Sequence, residues 1–420
     1  MFILIWFFFT KNTSLCIFYY YIFFMLMIKS IFMTGECCFS NHLFFFAYDY
    51  FSIILIILSF IIILMSSFFI KSHYLWYFKM TPLLCIIFSS LNILFFFIFF
   101  EMSLIPILML FSLLGTYKER FLSLVYFFIF TSFSGMPLMI TIIMLIKNNI
   151  NNYLFLSMLD LKMNEIIVIC IFLGFMAKLP VFGVHYWLPK AHVDAPTGGS
   201  MILAGVLLKL GGFGFLRLMM ILPLSNLYFL FSILGAMGYF MSSFICLRLI
   251  DYKVIVAYSS VSHMSLAFSG LMLSFFFSSK GAFLMFIGHG IVSPMMFFFS
   301  HILYKNMNTR DITIMKGFMH MNLLSFFFIF FFFMNLGLPP FINFWGEFYI
   351  MYGLFFNFKL AFFFFFMGFM TNSIYSIYLM TTIMHSKMNN MFLLKKQSFL
   401  EKMMCFYSTF LLFLITFMSF

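Results

Sequence analysis

The sequence predicts an all-α, polytopic membrane protein of about thirteen transmembrane helices. Three observations carry that prediction. First, 65% of the 420 residues are hydrophobic and only 8% are charged, where a soluble domain runs about one quarter charged. Too few polar side chains are present to wet the surface of a soluble protein of this length. That excludes a cytosolic enzyme, a secreted disulfide scaffold and a disordered chain. Second, the apolar residues form continuous runs near the ~20 residues that span hydrocarbon, without the alternation of a barrel strand. Third, the longest polar stretches, 147–165 and 385–402, are too short to bury a core of their own.

In chain order the spans fall at 14–33, 51–70, 74–88, 92–114, 121–146, 166–186, 198–222, 226–248, 254–277, 281–304, 320–357, 359–384 and 403–420. Ser89-Ser90-Leu91-Asn92 is either a tight turn or no break, so 83–114 reads as one helix or two. The span 166–186 carries Pro180 close to Lys178. The span 320–357 is too long for one straight helix and is interrupted at Gly337-Leu338-Pro339-Pro340, where two prolines remove backbone donors. Gly235-Ala236-Met237-Gly238 reads as a close-packing segment between membrane helices. Lys and Arg are biased between alternate loops, fifteen on the side of the N-terminal tail against five on the other. That bias puts the N-terminus on the electrically negative side and the C-terminus opposite.

The formal charge of +12 is scattered one to three residues at a time between apolar runs, with no basic stripe, so nucleic acid is not an expected partner. Seven cysteines occur without a C-x-x-C or a Cys/His cluster of metal spacing. No metal, iron–sulfur or zinc site is therefore expected, and the cysteines read as small core residues. The abundance of Phe, 75, and Met, 39, beside only 22 Gly fits an A/T-rich genome such as a mitochondrial one. The opening MFILIWFFFT is neither an Arg-rich presequence nor a signal peptide with a small-residue cleavage site. It fits a protein made inside the organelle.

The informative residues are the ionisable ones inside the apolar runs. Glu101 sits in FIFFEMSLIPIL, Lys178 in LGFMAKLPVFG, Lys209 in LAGVLLKLGGFG and Glu347 in FINFWGEFYIM. A charge at the bilayer centre costs about 2.5–3.5 kcal/mol on insertion scales. A single lysine can snorkel, and a single Glu–Lys pair can merely hold helices together. Two acids and two lysines imply a connected polar axis. His185, His263 and His289 extend it, since an imidazole titrates near physiological pH. Lys178 and His185 are seven residues apart and share a helix face if Pro180 leaves the helix nearly intact. The breaks at Pro180 and at Pro339-Pro340 each adjoin an ionisable residue, as in transporters whose interrupted helices expose backbone groups at mid-membrane. Gly211-Gly212-Phe213-Gly214 and Gly288-His289-Gly290 follow no strand and carry no Walker lysine. The chemistry open to such a chain is proton or cation movement.

These residues lie in the run MAKLPVFGVHYWLPKAHVDAPTGGSMILAGVLLKLGGFGFLRL at 176–218, supported by FFEMSLIP, AYSSVSHMSLA, GHG and LGLPPFINFWGEF. On them the chain resembles the antiporter-like membrane subunits of mitochondrial NADH:ubiquinone oxidoreductase, respiratory complex I. HYWLPKAHVDAP is similar to the subunit 4 branch rather than to subunits 2 and 5. The resemblance implies two inverted five-helix repeats with broken helices, here 74–222 and 226–384. They would be flanked by N-terminal helices in 1–73, shortened relative to the family, and by a C-terminal loop and helix in 385–420. It implies Glu101 and Lys178 as a coupled pair, Lys209 as central relay and Glu347 as the group exchanging protons toward one side, with His185, His263 and His289 lining the axis. It further implies a multi-pass protein of the mitochondrial inner membrane whose partners are lipid and other membrane-arm subunits, including the subunit 5 and subunit 2 relatives. FMN, iron–sulfur clusters and ubiquinone would then belong to other subunits, and this chain would bind no cofactor. An Mrp-type Na⁺/H⁺ antiporter subunit shares the fold and the Lys/Glu logic and is the alternative reading.

Overall fold

The computed structural model describes residues 49–67, 75–115, 119–147, 165–219, 227–273, 275–317, 323–385 and 401–410. Among them the chain is all-helical, with no strand; isolated bridge positions are Ser90 and the Asp251–Asp311 pair. The helices are α1 (Tyr50–Ser67), α2 (Leu75–Ser89), α3 (Ile93–Met102), α4 (Leu104–Leu114), α5 (Arg120–Lys147), α6 (Glu165–Lys178) and α7 (Trp187–Asp194). They continue as α8 (Thr197–Met219), α9 (Leu227–Cys246), α10 (Tyr252–Met272), α11 (Phe276–Met307), α12 (Leu323–Asn335), α13 (Ile342–Asn357) and α14 (Lys359–His385). With α3 and α4 taken as one stretch, eight helices among the described residues are long and apolar enough to cross a membrane. The expected span 14–33 lies outside the described residues, and of 403–420 only 403–410 is described, as helix.

The boundaries follow from local chemistry. Ser89 to Asn92 is a true break. α2 ends at Ser89, and the Asn92 side chain accepts a hydrogen bond from the Leu94 N–H at 2.9 Å, an N-cap that starts α3. The span expected at 92–114 is interrupted at Ser103. Pro106 has no N–H to return to the carbonyl of Met102, so the ladder fails one turn before the proline. The span expected at 166–186 stops at Lys178, a correction to the sequence reading. Pro180 does not leave the helix nearly intact; residues 179–186 are turns, with Gly183 at φ +104°. Lys178 and His185 therefore do not share a helix face. The run 320–357 resolves into α12 and α13 around the Gly337–Pro340 break, with a cis bond between the prolines.

Two compact units form. The first takes the described residues up to Lys178 together with those of Asp194–Pro223, and the second takes Leu179–Val193 and those from Leu224 onward. In the first, α8 is buried along nearly all its length and packs on α1 and α6, while α5 lies against α6. In the second, α9 packs between α10 and α14, and α11 against α10 and α13. Gly235 and Gly238 bring the α9 backbone onto Ser265 and Ser269 of α10. The end of α7 is fastened within this unit. The Val193 carbonyl accepts from Lys253 Nζ at 2.9 Å and from an Arg310 guanidinium N–H at 3.5 Å. Two cations at a helix C-terminus complement its dipole. α5 and α14 leave wide apolar faces uncovered, including Phe133 and Met136 on the first and Phe363 and Ile374 on the second.

Candidate functional site

All four ionisable residues singled out in the sequence stand beside an interruption of a helix. Glu101 is in the last turn of α3, just before Ser103, and Lys178 is the last residue of α6. Lys209 follows a π-helical turn at Leu203–Leu207, and Glu347 lies in the second turn of α13, after the proline break. An interrupted helix frees backbone carbonyls and amides that can solvate a charge inside protein. The placement of these charges is therefore a local consequence of Pro106, Pro180, the π-turn and Pro339-Pro340.

In the first unit the structure brings Glu101 and Lys178 together across 77 residues of sequence, with Lys178 Nζ 2.6 Å from Glu101 Oε1. The lysine side chain is 7% exposed and the glutamate 28%, so the pair has a buried and a more open end. Nζ also lies 3.2 Å from the centroid of the Phe100 ring, a cation–π contact on its remaining side. Lys209 is completely buried. Its ammonium donates to the Ala204 carbonyl, five residues back and inside the π-turn, at 2.5 Å. Arg217, at the end of α8, pairs with Asp49 at 2.7 Å and donates to the Ser90 carbonyl at 3.3 Å, which ties α8 to the α2–α3 turn.

In the second unit Glu347 is buried, and its Oε1 lies 3.6 Å from His263 Nδ1. The His263 and His289 rings are 5.4 Å apart between centroids. Both histidines are buried, so α10, α11 and α13 each contribute one titratable group to a single cluster. His185 is buried within the turns after the Pro180 break. Its Nδ1 accepts from the Gly183 N–H at 3.2 Å, and its ring stacks between Phe182 and Tyr186. His192 stacks on Phe297 at 4.6 Å. Among the described residues no three His, Cys, Asp or Glu side chains gather in metal-binding geometry.

Each carboxylate backs onto a glycine. A Cβ at Gly135 would come 2.9 Å from Glu101 Oε1, and a Cβ at Gly337 would come 2.6 Å from Glu347 Oε2. Gly337 also holds φ +67°, open at little cost only to glycine. Gly337→Ala should add strain of about 1–3 kcal/mol and push the Glu347 carboxylate aside. The expected result is a lower melting temperature of the purified protein; a wild-type melting temperature would contradict the contact.

Sequence reasoning passed over the neutral polar groups. Asn335, Asn343, Tyr239, Asn372 and Tyr375 are all buried in the second unit. The Asn343 side-chain amide donates to the Met334 carbonyl at 3.0 Å and so braces the break between α12 and α13. Their signal was present: an unbonded Asn inside an apolar run costs about 2–7 kcal/mol, less than a charge but enough to stand out. The cationic fastening of Val193 could not be seen, because its acceptor is a backbone carbonyl 60 and 117 residues from its donors.

Comparison with known proteins bears on the fold and the family. The family model for the transmembrane part of the NADH:quinone oxidoreductase/Mrp antiporter proteins matches residues 90–374. The chain is 39% identical over 287 residues to NADH-ubiquinone oxidoreductase chain 4 of Petromyzon marinus, covering 66% of this chain and 63% of that protein. It is 40% identical over 269 residues to the chain 4 of Locusta migratoria, covering 62% of this chain and 60% of that one. The matched part thus spans about three fifths of these relatives' length. In fold it is similar to a chain of respiratory complex I from Thermus thermophilus, with a TM-score of 0.85 at 21% identity, over 94% of this chain and 88% of that one. The family-model match runs from just before the Asn92 cap through α13 and into α14, and takes in Glu101, Lys178, Lys209 and Glu347. The chain is a membrane protein of the NADH:quinone oxidoreductase/Mrp antiporter family.

Proposed function

We propose that this chain is a proton-translocating membrane-arm subunit of respiratory complex I. It would move protons across the mitochondrial inner membrane while other subunits carry electrons from NADH to ubiquinone. The observation that carries the reading is the coincidence of each of Glu101, Lys178, Lys209 and Glu347 with a helix interruption, and the pairing of Lys178 with Glu101 at 2.6 Å. An ion pair at the end of α6 can open and close when a neighbour's charge changes. In its closed form each partner stabilises the other's charge, and opening it frees a proton carrier. On this reading the units correspond to antiporter-like repeats near 74–222 and 226–384. Glu101 and Lys178 form the switch of the first, Lys209 is the relay, and Glu347 with His263 and His289 exchanges protons in the second. His185 serves the same polar path. FMN, iron–sulfur clusters and ubiquinone stay with other subunits.

The relatives named NADH-ubiquinone oxidoreductase chain 4 support the complex I reading over the Mrp alternative within the same family. The uncovered apolar faces of α5 and α14 suit lipid and neighbouring membrane subunits, the subunit 5 and subunit 2 relatives among them. Comigration with NADH dehydrogenase activity on a blue-native gel separates the two readings. Glu347 supplies the test of mechanism. Glu347→Gln keeps shape but cannot ionise, and should lower pumping by about tenfold, equivalent to ~1.4 kcal/mol in a transfer barrier. Glu347→Asp keeps the carboxylate and should retain a measurable part of the rate. Equal rates for wild type and Glu347→Gln in assembled complex would remove Glu347 from the path.

A further inference from the structure

His185 lies in the turns before α7, and its two ring nitrogens face different surroundings. Nδ1 accepts a hydrogen bond from the Gly183 N–H at 3.2 Å. Nε2 is buried and stands outside hydrogen-bonding geometry with the described protein groups. Phe182 and Tyr186 stack on the ring at 4.8 and 4.6 Å, and Tyr258 of α10 meets it edge-on at 5.8 Å. The two tyrosines are the titratable side chains against the ring within this unit. A nitrogen that accepts from an amide N–H carries no proton of its own, so the neutral ring holds its proton on Nε2. A second proton on Nδ1 would set two N–H groups head to head. While the Gly183 amide points at Nδ1, the imidazole is held neutral.

The peptide that carries this amide is the middle of a tight turn. The Val184 N–H donates to the Val181 carbonyl at 3.1 Å, so Phe182 and Gly183 are the central residues of a four-residue turn. Gly183 has φ +104°, the positive sign that a type II turn requires at its third residue. Type I and type II turns share the same closing hydrogen bond and differ by nearly a half rotation of the middle peptide. Here that peptide is Phe182–Gly183. Its rotation takes the Gly183 N–H away from Nδ1 and brings the Phe182 carbonyl towards it, an acceptor for a protonated Nδ1. Space for the movement exists, since Gly183 is exposed and a Cβ built there meets nothing within 4 Å. The Leu188 N–H holds the His185 carbonyl at 2.9 Å and keeps the histidine backbone in place meanwhile. We propose that the Phe182–Gly183 peptide gates His185, holding the imidazole neutral in one orientation and admitting a proton at Nδ1 in the other. The inference rests on the reading of His185 as part of the proton path. Uptake adds one proton from that path at Nδ1 and makes the imidazolium, with the Nε2 proton retained. Loss of the added proton restores the neutral ring and lets the amide return. Phe182 and Gly183 are positioning residues that act through His185.

The test uses assembled complex carrying Gly183→Ala, His185→Gln or both, with protons moved per NADH oxidised read across a pH series. Alanine meets no clash at 183, so its effect is conformational: an L-residue disfavours this φ and populates the rotated peptide. The rotated carbonyl favours the protonated ring, which then persists to higher pH. The gate predicts that the limb of the profile lost in His185→Gln moves about one pH unit toward alkaline in Gly183→Ala. The double variant should match His185→Gln alone. An unmoved limb in assembled Gly183→Ala, or a double variant whose profile differs from that of His185→Gln, would overturn the gate and leave the His185 reading standing. A wild-type profile in His185→Gln would overturn both. Should Gly183→Ala not assemble, experimental structures of the wild-type complex at acid and alkaline pH decide the matter. The Phe182 carbonyl facing Nδ1 at acid pH supports the gate, and the Gly183 N–H on Nδ1 at both overturns it.

Discussion

Lys178→Met in assembled complex should lower proton pumping by at least about tenfold while leaving the amount of assembled protein close to wild type. Methionine fills the volume of the lysine stem but cannot reach Glu101 Oε1, now 2.6 Å from Nζ, with a charge. Removing one partner of a fully buried pair costs about 3–5 kcal/mol. The cost is smaller here because the Glu101 side chain is 28% exposed and can recover some hydration. The pairing itself is tested by a double-mutant cycle with Glu101→Gln. If the two groups work as one switch, the double variant should pump little worse than either single one, a coupling of about 0.5–3 kcal/mol. Strictly additive losses would mean that each group acts alone and that the contact is only structural.

Lys209 gives the second large effect, and one with an unusual signature. The residue is completely buried, and its ammonium is held by the Ala204 carbonyl of the π-turn. Lys209→Met removes a costly buried charge and should leave thermal stability unchanged or raised, while pumping falls at least about tenfold. Lys209→Arg keeps the charge but brings a guanidinium that does not give up its proton. A relay that must lose and regain a proton should fail in both variants. If Lys209→Arg pumped normally, a fixed positive charge would be all that the position requires, and the relay role would be wrong. Gly205 sits within the π-turn that presents the Ala204 carbonyl.

Much of the fold was legible, because apolar run length is a strong signal and caps are local. The expected 121–146 and 359–384 became Arg120–Lys147 and Lys359–His385, within one residue at each end. The interruptions were legible only where proline sits at the break itself. Pro180 and Pro339-Pro340 were seen; the break at Ser103 was missed because Pro106 acts on the carbonyl four residues earlier. The π-turn at Leu203–Leu207 was missed because LAGVL carries no residue that forces it. Pro180 also misled, since seven residues from Lys178 to His185 mean two turns only in an unbroken helix. The intramembrane charges stood out in sequence because nothing near them is polar. Their partners did not, since Glu101 and Lys178 meet across 77 residues and His263 meets Glu347 from another helix. The neutral cluster of Tyr239, Asn372 and Tyr375 needed three-dimensional neighbours to become visible at all.

The measurement that bears most directly on the account is the number of protons moved per NADH oxidised by assembled complex in sealed vesicles. It is compared between wild type and chains carrying Lys178→Met, Lys209→Met or Glu347→Gln. Each variant should comigrate with wild-type complex on a native gel and show a reduced ratio, because on the proposed reading electrons pass through other subunits while protons pass through this one. A ratio equal to wild type in all three variants, with NADH oxidation intact, would mean that protons do not travel through these buried groups.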